Sequence, residues 1–121
     1  AAGAGARVDA ADDDLAAVRS TELNARANGL DVRAVHSDID SELEAGGFDI
    51  VLTNPPFHVG RGVRLQVPEA FIAAAHRLLR PGGSMLLVAN RDLPYEQMLG
   101  GWRRSERVRD ENGFKVIRAW R

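Results

Sequence analysis

The segment FDIVLTNPPF, residues 48–57, brings an amide, two prolines and an aromatic ring together after an apolar run. A residue that precedes proline is disfavoured in the helical region, so Asn54 and Pro55 are both expected to be extended. Because proline has no N–H to donate, the chain is expected to leave the sheet at this point. The Asn54 side-chain oxygen and the Pro55 carbonyl could then face one cleft as two hydrogen-bond acceptors.

Two acceptors that face one cavity suit an NH₂ group, which has two donors, and Phe57 could stack on the flat ring that carries it. An exocyclic amine is a poor nucleophile because its lone pair is delocalised, and acceptors on its hydrogens favour a pyramidal nitrogen. A sulfonium methyl group then needs only in-line approach at near-attack distance. A base inside a helix cannot reach such a pocket and has to be flipped out or unpaired. The alternative interpretation is a proline-rich turn with a core phenylalanine.

Short apolar runs alternate with segments of helical periodicity along the chain. The helix predicted at 12–28 has acidic residues in its first turn and Gly29 at its end. A second helix is expected from Pro68, with an apolar stripe over 71–79, and PGG at 81–83 is expected to end it. The predicted strands are RVDAA (7–11), VRAVH (32–36), FDIVLT (48–53) and SMLLVA (84–89); a short helix is expected at 94–100, and a hairpin turning at ENG joins RRSERVRD to FKVIRAW.

Strands separated by helices predict an α/β fold, with a parallel sheet covered on both faces and a terminal hairpin that adds antiparallel pairing at one edge. Ligands of such sheets lie outside the carboxyl ends of the strands. Asp12 follows the first strand, where a carboxylate can accept both hydrogen bonds of a ribose diol; its alternative role is to cap the helix. Asp38 follows the next strand, where it can receive an adenine amino group or serve as a turn aspartate.

Composition limits the classes of function. A chain of 121 residues is one domain at most, and the absence of cysteine excludes disulfides and thiolate metal sites. The longest apolar run, MLLVA, is far short of the ~20 residues that span a bilayer, and the start lacks a signal-peptide pattern, so a cytoplasmic protein is expected. The first half is acidic and the second basic, which predicts either an acidic ligand site beside a nucleic-acid face or charges that mix on the surface.

Three segments resemble the methyltransferase small-domain family, and most closely the bacterial ribosomal RNA guanine-N2 methyltransferases of the RsmC/RlmG type. They are FDIVLTNPPFHVGRGV, AFIAAAHRLLRPGGSMLLVANRDLPYE and ENGFKVIRA. The resemblance implies a class I, Rossmann-like fold that uses S-adenosyl-L-methionine as its cofactor. It also implies an enzyme whose partner is ribosomal RNA and whose target is the exocyclic N2 amine of a flipped or unpaired guanine.

Carried over by position, the resemblance implies a cofactor site at the ends of three strands. Asp12 would hold the ribose of the cofactor, and Asp38 would lie near its adenine. Asn54 would lie beside both the cofactor and the target. Neither the residues nor the resemblance implies a metal.

The resemblance also implies the substrate side of the site. Asn54 and Pro55 would accept hydrogen bonds from the target amine, and Phe57 would stack on the base, so these three are the expected catalytic residues. His58 would belong to the substrate side, or else be a supporting or surface histidine. The expected substrate-binding residues are Pro56, Phe57, His58 and Arg91.

One departure from the family concerns the cofactor loop. The family begins this domain with a strand and a Gly-rich loop, whereas GAG at 3–5 precedes Asp12 by only seven positions instead of about 20. Residues 1–121 are therefore expected to be a single partial methyltransferase domain that lacks the first strand, the loop and an N-terminal domain, so activity of these residues by themselves is doubtful. The alternatives are methylation of an adenine N6 or a protein glutamine, or a non-catalytic module that binds RNA or a partner.

Overall fold

The computed structural model divides the chain into two compact units, Ala1–Leu43 and Glu44–Arg121. The strands of the two units form two sheets, one of two strands and one of four. Each unit is described by itself below. The structure describes residues 7–12, 14–29, 32–36, 42–55 and 66–121.

The first unit is a strand–helix–strand element with parallel pairing. Strand β1 (Val8–Asp12) pairs with β2 (Val32–His36) from Val8 opposite Val32 to Asp12 opposite His36. Helix α1 (Leu15–Ala27) connects the two strands and buries Val18 and Ala25. Because a parallel pair needs a crossover, the helix between the strands accounts for their direction.

The start of α1 corrects the sequence prediction. The helix begins at Leu15 and has no acidic residue in its first turn; Asp14 is instead the N-cap, and its side chain accepts a hydrogen bond of 2.9 Å from the Ala16 N–H. Aspartate favours this position because its short side chain satisfies a free N–H of the first turn. The end agrees with the prediction, since Gly29 follows Ala27 closely and has a φ of 63°.

The second unit is a four-stranded mixed sheet in which β3 (Phe48–Thr53) is followed by β4 (Leu79–Asn90), β6 (Phe114–Trp120) and β5 (Arg104–Glu111). Strand β3 pairs in parallel with β4, which pairs antiparallel with β6, and β6 pairs antiparallel with β5 at the edge. The predicted antiparallel hairpin at one edge of the sheet is therefore confirmed. The elements are β3 (Phe48–Thr53), α2 (Gln66–Leu78), β4 (Leu79–Asn90), a 3₁₀ helix (Tyr95–Met98), β5 (Arg104–Glu111) and β6 (Phe114–Trp120).

The core of this unit lies on one face of the sheet. Ile72 and Ala75 of α2 pack against Met85 and Leu87 of β4, and Ile117 of β6 joins the same cluster. Full burial of one such side chain contributes roughly 1.5–3 kcal/mol, so this cluster is a major source of stability. Tyr95, Leu99 and Trp102 extend it.

The opposite face of the four-stranded sheet carries exposed apolar side chains in the described residues. Ile50 and Leu52 of β3 are 57% and 67% exposed, and Phe114 of β6 is 54% exposed. Within the described part of this unit, the long helix, α2, packs on the face that carries the core. The other face therefore presents apolar side chains without a covering helix from these residues.

The PGG segment differs from its predicted role as a helix end. Helix α2 ends at Leu78, and β4 begins at Leu79, so PGG lies inside the strand. The pairing shifts between Phe48 opposite Leu79 and Ile50 opposite Ser84, which makes room for the extra residues. A Cβ on Gly83 would lie 2.9 Å from the Asp49 carbonyl oxygen, so the close approach of the two backbones requires glycine there.

The ENG hairpin is confirmed. Asn112 has a φ of 55° and Gly113 a φ of 79°, and together they turn β5 into β6. Two successive residues with positive φ characterise the turn that matches the twist of a hairpin, and Asn-Gly is the dipeptide that adopts it most readily.

Candidate functional site

The carboxyl end of β3 is fixed by its pairing with β4. Thr53, the last residue of β3, lies opposite Leu87, and Asn54 and Pro55 follow directly. Asn54 is exposed and has no hydrogen-bond partner among the described residues, whereas Pro55 is buried. An exposed amide beside a buried proline can accept from, or donate to, an external group.

The carboxyl end of β1 carries Asp12, the residue predicted to bind ribose. Its backbone lies opposite His36 at the end of β2, so Asp12 is at the ligand-binding edge of that parallel pair. Its side chain lies outside what the structure describes. The placement of Asp12 at a strand end agrees with the prediction, and its role stays a prediction.

Four of the predicted site residues lie outside the described part of the chain. They are Asp38, Pro56, Phe57 and His58. The stacking ring, the histidine and the adenine carboxylate therefore stay predictions from the sequence.

Arg91 is the predicted substrate residue whose side chain the structure describes. It directly follows β4, and its backbone N–H donates to the Gly113 carbonyl at 2.8 Å. Its side chain is 49% exposed, and its Nε donates to Oδ1 of Asp110 at 2.5 Å. Since β3 and β4 are adjacent and parallel, Asn54 and Arg91 follow the same edge of the sheet.

The neighbour of Arg91 stabilises the segment after β4. Asn90 Oδ1 accepts a hydrogen bond of 3.1 Å from the Asp92 N–H, and the Asn90 carbonyl accepts from the Leu93 N–H. Asparagine forms such local bonds readily in turns. The Asn90 side chain therefore shapes the loop that carries Arg91.

A buried lysine lies below this loop. Lys115 of β6 is only 2% exposed, and its Nζ donates to the Leu93 carbonyl and, at 2.7 Å, to Oε2 of Glu96. Burial raises the pKa of the Glu96 carboxyl, but hydrogen bonds from Lys115 and Arg107 outweigh that effect and hold the pKa below its ordinary value. The sequence prediction missed Lys115 because it lies on the same strand face as buried apolar residues.

Arg107 and Asp110 of β5 continue the charged contacts. Arg107 bonds to Oε1 of Glu96 at 2.8 Å and to Oδ2 of Asp110 at 2.9 Å, and these hydrogen bonds raise its pKa. Desolvation raises the pKa of Asp110, but the hydrogen bonds from Arg91 and Arg107 outweigh that effect. The pKa of Asp110 is therefore below its ordinary value. Both carboxyl groups are therefore ionised at neutral pH.

A shallow groove on the core side of the second unit has a different character. It is lined by residues of α2, of the 3₁₀ helix and of the segment after that helix, including Ile72, His76, Met98 and Trp102. His76 contacts Trp102 edge to face, with 5.0 Å between ring centroids. This packing agrees with a structural interpretation of His76.

Comparison with known proteins identifies the family to which the chain is similar. The family model of the methyltransferase small domain matches residues 1–118. A ribosomal RNA small subunit methyltransferase C from Hahella chejuensis is 40% identical over 117 residues, 96% of this chain and 34% of that protein. The corresponding protein of Alcanivorax borkumensis is 43% identical over 105 residues, 86% of this chain and 32% of that protein.

A solved structure is similar over nearly the whole chain. The T. thermophilus 16S rRNA N2 G1207 methyltransferase (RsmC), in complex with AdoMet and guanosine, superposes with a TM-score of 0.90 and 43% sequence identity. The match covers 99% of this chain and 33% of that one. The present chain thus spans about a third of the length of the relatives it matches.

These similarities confirm the predicted fold class. The chain has the mixed α/β fold of class I S-adenosylmethionine-dependent methyltransferases, with parallel strands followed by antiparallel ones. Among the described residues, neither helix is both long and apolar enough to cross a bilayer.

Proposed function

The chain belongs to the methyltransferase small-domain family, and we propose that its protein methylates the exocyclic N2 amine of a guanine in ribosomal RNA, with S-adenosylmethionine as the methyl donor. The observation that carries the proposal is the exposed Asn54 at the carboxyl end of β3, which has no hydrogen-bond partner among the described residues and is followed by the buried Pro55. The similar protein of known structure is an rRNA N2 methyltransferase in complex with AdoMet and guanosine. Such an enzyme would work in the cytoplasm, where ribosomes are assembled from ribosomal RNA and protein.

The proposed chemistry begins with the target amine. The Asn54 side-chain oxygen and the Pro55 carbonyl accept its two hydrogens, which makes the nitrogen pyramidal and directs its lone pair at the methyl group. Bound S-adenosylmethionine supplies that methyl group as an electrophile. The exposure of Asn54 supports this role, because an amide turned into the core could not reach a base.

The remaining substrate contacts in the proposal come from the segment after Pro55 and the loop after β4. Phe57 stacks on the guanine and holds its plane fixed during transfer. Pro56 and His58 shape the same side of the pocket, and Arg91 contacts the RNA. The exposed guanidinium of Arg91, at the same sheet edge as Asn54, supports its part in this arrangement.

The cofactor is proposed to bind at the carboxyl end of the parallel pair formed by β1 and β2. Asp12 accepts hydrogen bonds from the ribose hydroxyls, and Asp38 receives the adenine amino group. The backbone position of Asp12 fits this role, because parallel strands bind nucleotides at that edge and a carboxylate there has two acceptor oxygens. Asn54 lies where the methyl donor and the target amine meet.

We further propose that residues 1–121 are part of a larger catalytic domain. Strand β3 lies at the edge of its sheet in the described residues, and its Ile50 and Leu52 are 57% and 67% exposed. Two large apolar side chains on one strand face favour a covering element. A strand with a Gly-rich loop, supplied by the longer protein, would pair with the edge of β3 and complete the cofactor site.

The experiment that tests the function is methyl transfer to ribosomal RNA from isotopically labelled S-adenosylmethionine, followed by nucleoside analysis. N2-methylguanosine is the expected product. N6-methyladenosine, or label in a glutamine side chain, would assign the chain to another amine target. The test should use both residues 1–121 and a chain extended at its N-terminus, and clear cofactor binding is expected only for the extended form.

A further inference from the structure

Five charged side chains of the second unit form one continuous series of ion pairs. Lys115 pairs with Glu96 at 2.7 Å, and Glu96 pairs with Arg107 at 2.8 Å. Arg107 pairs in turn with Asp110 at 2.9 Å, and Asp110 pairs with Arg91 at 2.5 Å. The series joins β6, the 3₁₀ helix and β5 to the residue that follows β4.

The series runs from a buried cation to an exposed one. Lys115 is 2% exposed, and Arg91 at the other end is 49% exposed. The two oxygens of Glu96 accept from Lys115 and Arg107, and the two oxygens of Asp110 accept from Arg107 and Arg91. Three cations and two anions leave the series with one positive charge in excess.

The contacts of Arg91 leave the outer part of its guanidinium available. Its Nε donates to Asp110, and its two terminal nitrogens have no partner among the described residues. Arg109 on β5 differs, because its terminal Nη1 pairs with Glu111. A guanidinium held through Nε presents its terminal N–H groups as a fixed fork, which matches two oxygens of a phosphate.

The backbone of Arg91 is held in place as well. Its N–H donates to the Gly113 carbonyl in the β5–β6 turn, and the neighbouring Asn90 side chain closes the local turn. Thr53 lies opposite Leu87, so at about 3.3 Å per residue Arg91 lies roughly 10 Å beyond Asn54 along the strand direction. This separation is comparable to the size of one nucleotide.

We propose that Arg91 binds a backbone phosphodiester of the RNA strand whose base enters the site at Asn54, and that Asp110 is the positioning residue that holds the Arg91 guanidinium in the binding orientation. The inference rests on the proposed function for the identity of the strand. It adds a residue, Asp110, that touches no substrate itself and acts through Arg91. Arg107 and Glu96 link Asp110 to the buried Lys115 and thereby fix it.

Asp110→Asn separates orientation from charge. The substitution removes a negative charge, so attraction between net charges predicts tighter binding of RNA. Loss of the charged anchor of Arg91 predicts weaker binding instead, because the guanidinium is then free to sample other orientations. The two explanations therefore predict opposite changes in the affinity for RNA.

The test measures the affinity of a single-stranded oligoribonucleotide containing guanine over a range of salt concentrations, for the wild type, Arg91→Gln, Asp110→Asn and the control Arg109→Gln. Arg91→Gln is expected to reduce the slope of log K against log salt by about 0.7, the value for one phosphate contact on a single strand. Asp110→Asn is expected to weaken binding about fivefold, since a charge-assisted anchor is lost. Arg109→Gln is expected to change neither quantity. Circular dichroism checks that all four proteins are folded.

Further arms of the experiment identify the ligand. Guanosine without a phosphate should bind equally well to the wild type, Arg91→Gln and Asp110→Asn. Guanosine 5′-monophosphate should lose affinity in both variants, and inorganic phosphate should bind much more weakly than the oligonucleotide. Equal binding of phosphate and RNA would overturn the assignment to an RNA backbone.

The outcomes separate this inference from the proposed function. If Asp110→Asn binds RNA as well as the wild type or better, or if Arg91→Gln keeps the salt slope, the inference is wrong, and the proposed function is decided separately by methyl transfer with the wild-type protein. Absence of RNA binding by the wild-type chain also overturns it. If both variants behave as expected but no methylguanosine forms, the phosphate contact stands and the proposed function fails.

Discussion

The ammonium of Lys115 lies 2.7 Å from Oε2 of Glu96, although the Lys115 side chain is only 2% exposed and Glu96 is 38% exposed. A lysine buried to this extent is rare unless it is paired. The contact joins the last strand to the 3₁₀ helix that follows β4. The buried cation therefore fixes the position of the loop at the candidate site.

Glu96→Gln is expected to lower the free energy of unfolding by about 2 kcal/mol, because hydrogen bonds to charged groups contribute roughly 1.5–3 kcal/mol and the buried ammonium would lose its anion. Lys115→Met is expected to cost less. In that variant Glu96 still pairs with Arg107 and still contacts water, so no buried charge is left without a partner. Urea unfolding of the two single variants and of the double variant measures which substitution lowers the free energy of unfolding more.

The double variant supplies the control for this pair. If the Lys115–Glu96 contact accounts for the cost of Glu96→Gln, that cost should nearly disappear in the Lys115→Met background. A cost of Glu96→Gln that is unchanged there would show that the loss comes from Arg107 instead.

Stability is expected to depend on the ionisation of Glu96 at acid pH. Its pKa in the folded protein is lower than the ordinary value of about 4.5, so the unfolded state binds the proton more tightly. The stabilisation is therefore complete above about pH 4.5 and is lost as the pH falls through the lower, folded-state pKa. Denaturant unfolding between pH 7 and pH 3 should show the wild type approaching Glu96→Gln as the pH falls.

Glu69→Gln is a matched control for the pH experiment, because Glu69 is an exposed carboxylate of α2 with no ion-pair partner among the described residues. Its difference from the wild type at neutral pH should be smaller than that of Glu96→Gln. A gap between the wild type and Glu96→Gln that does not narrow as the pH falls below about 4.5 would contradict the assignment.

The strand ends that carry the site could be predicted from the sequence, because they depend on local patterns. FDIVLT was predicted as a strand at 48–53 and is the strand Phe48–Thr53. The turn predicted at Asn-Gly is also present, and both of its residues have a positive φ. These features depend on β-branched runs and turn residues that act over a few positions. Asn54 follows its strand as expected.

The buried charge could not be predicted in this way. In FKVIRAW, alternation of apolar residues favours burial of Phe114, Val116 and Trp120, whereas the structure buries Lys115 and Ile117. Which face of a strand is buried depends on the neighbouring strand and the helix above it, and both are distant in sequence. Glu96, the partner of Lys115, was likewise not identifiable from local patterns.

The start of β4 was misplaced for a similar reason. PGG is a strong signal for the end of a helix, yet here it lies within a strand because β3 accepts an irregular register beside it. Tertiary pairing overrides the local preference of proline and glycine at such an irregularity.

Gly83→Ala is expected to destabilise the second unit by about 1–3 kcal/mol, the usual cost of overpacking. The added Cβ would lie 2.9 Å from the Asp49 carbonyl oxygen and 3.0 Å from the Arg80 carbonyl oxygen, and backbone atoms cannot move aside easily. Gly101→Ala is the control, since a Cβ there meets nothing within 4 Å and its φ is not positive. Thermal unfolding of both variants measures the difference in stability. Equal midpoints for Gly83→Ala and Gly101→Ala would contradict the close approach of β3 and β4.

Tyr95→Phe is expected to leave stability unchanged or to raise it by up to about 1 kcal/mol, because a buried polar group without a partner carries a desolvation cost. The Tyr95 hydroxyl is buried and has no hydrogen-bond partner among the described residues, and burial raises its pKa. Tyr95→Ala, which removes the ring from the core, is expected to cost about 3–5 kcal/mol. Denaturant unfolding that shows a clear loss for Tyr95→Phe would mean that the hydroxyl has a stabilising contact.

Asn54→Ala is expected to reduce methyl transfer to ribosomal RNA by about 10²–10³-fold, the usual effect of removing one group that stabilises a transition state. The substitution removes the exposed amide at the end of β3 and leaves the buried Pro55 in place, so the affinity for S-adenosylmethionine should change little. Asn24→Ala, in an exposed position of α1, is the matched control and should retain full activity. Turnover and cofactor affinity are measured on the same protein extended at its N-terminus. A parallel loss of both quantities would assign Asn54 to cofactor binding, and unchanged turnover would remove it from the proposed mechanism.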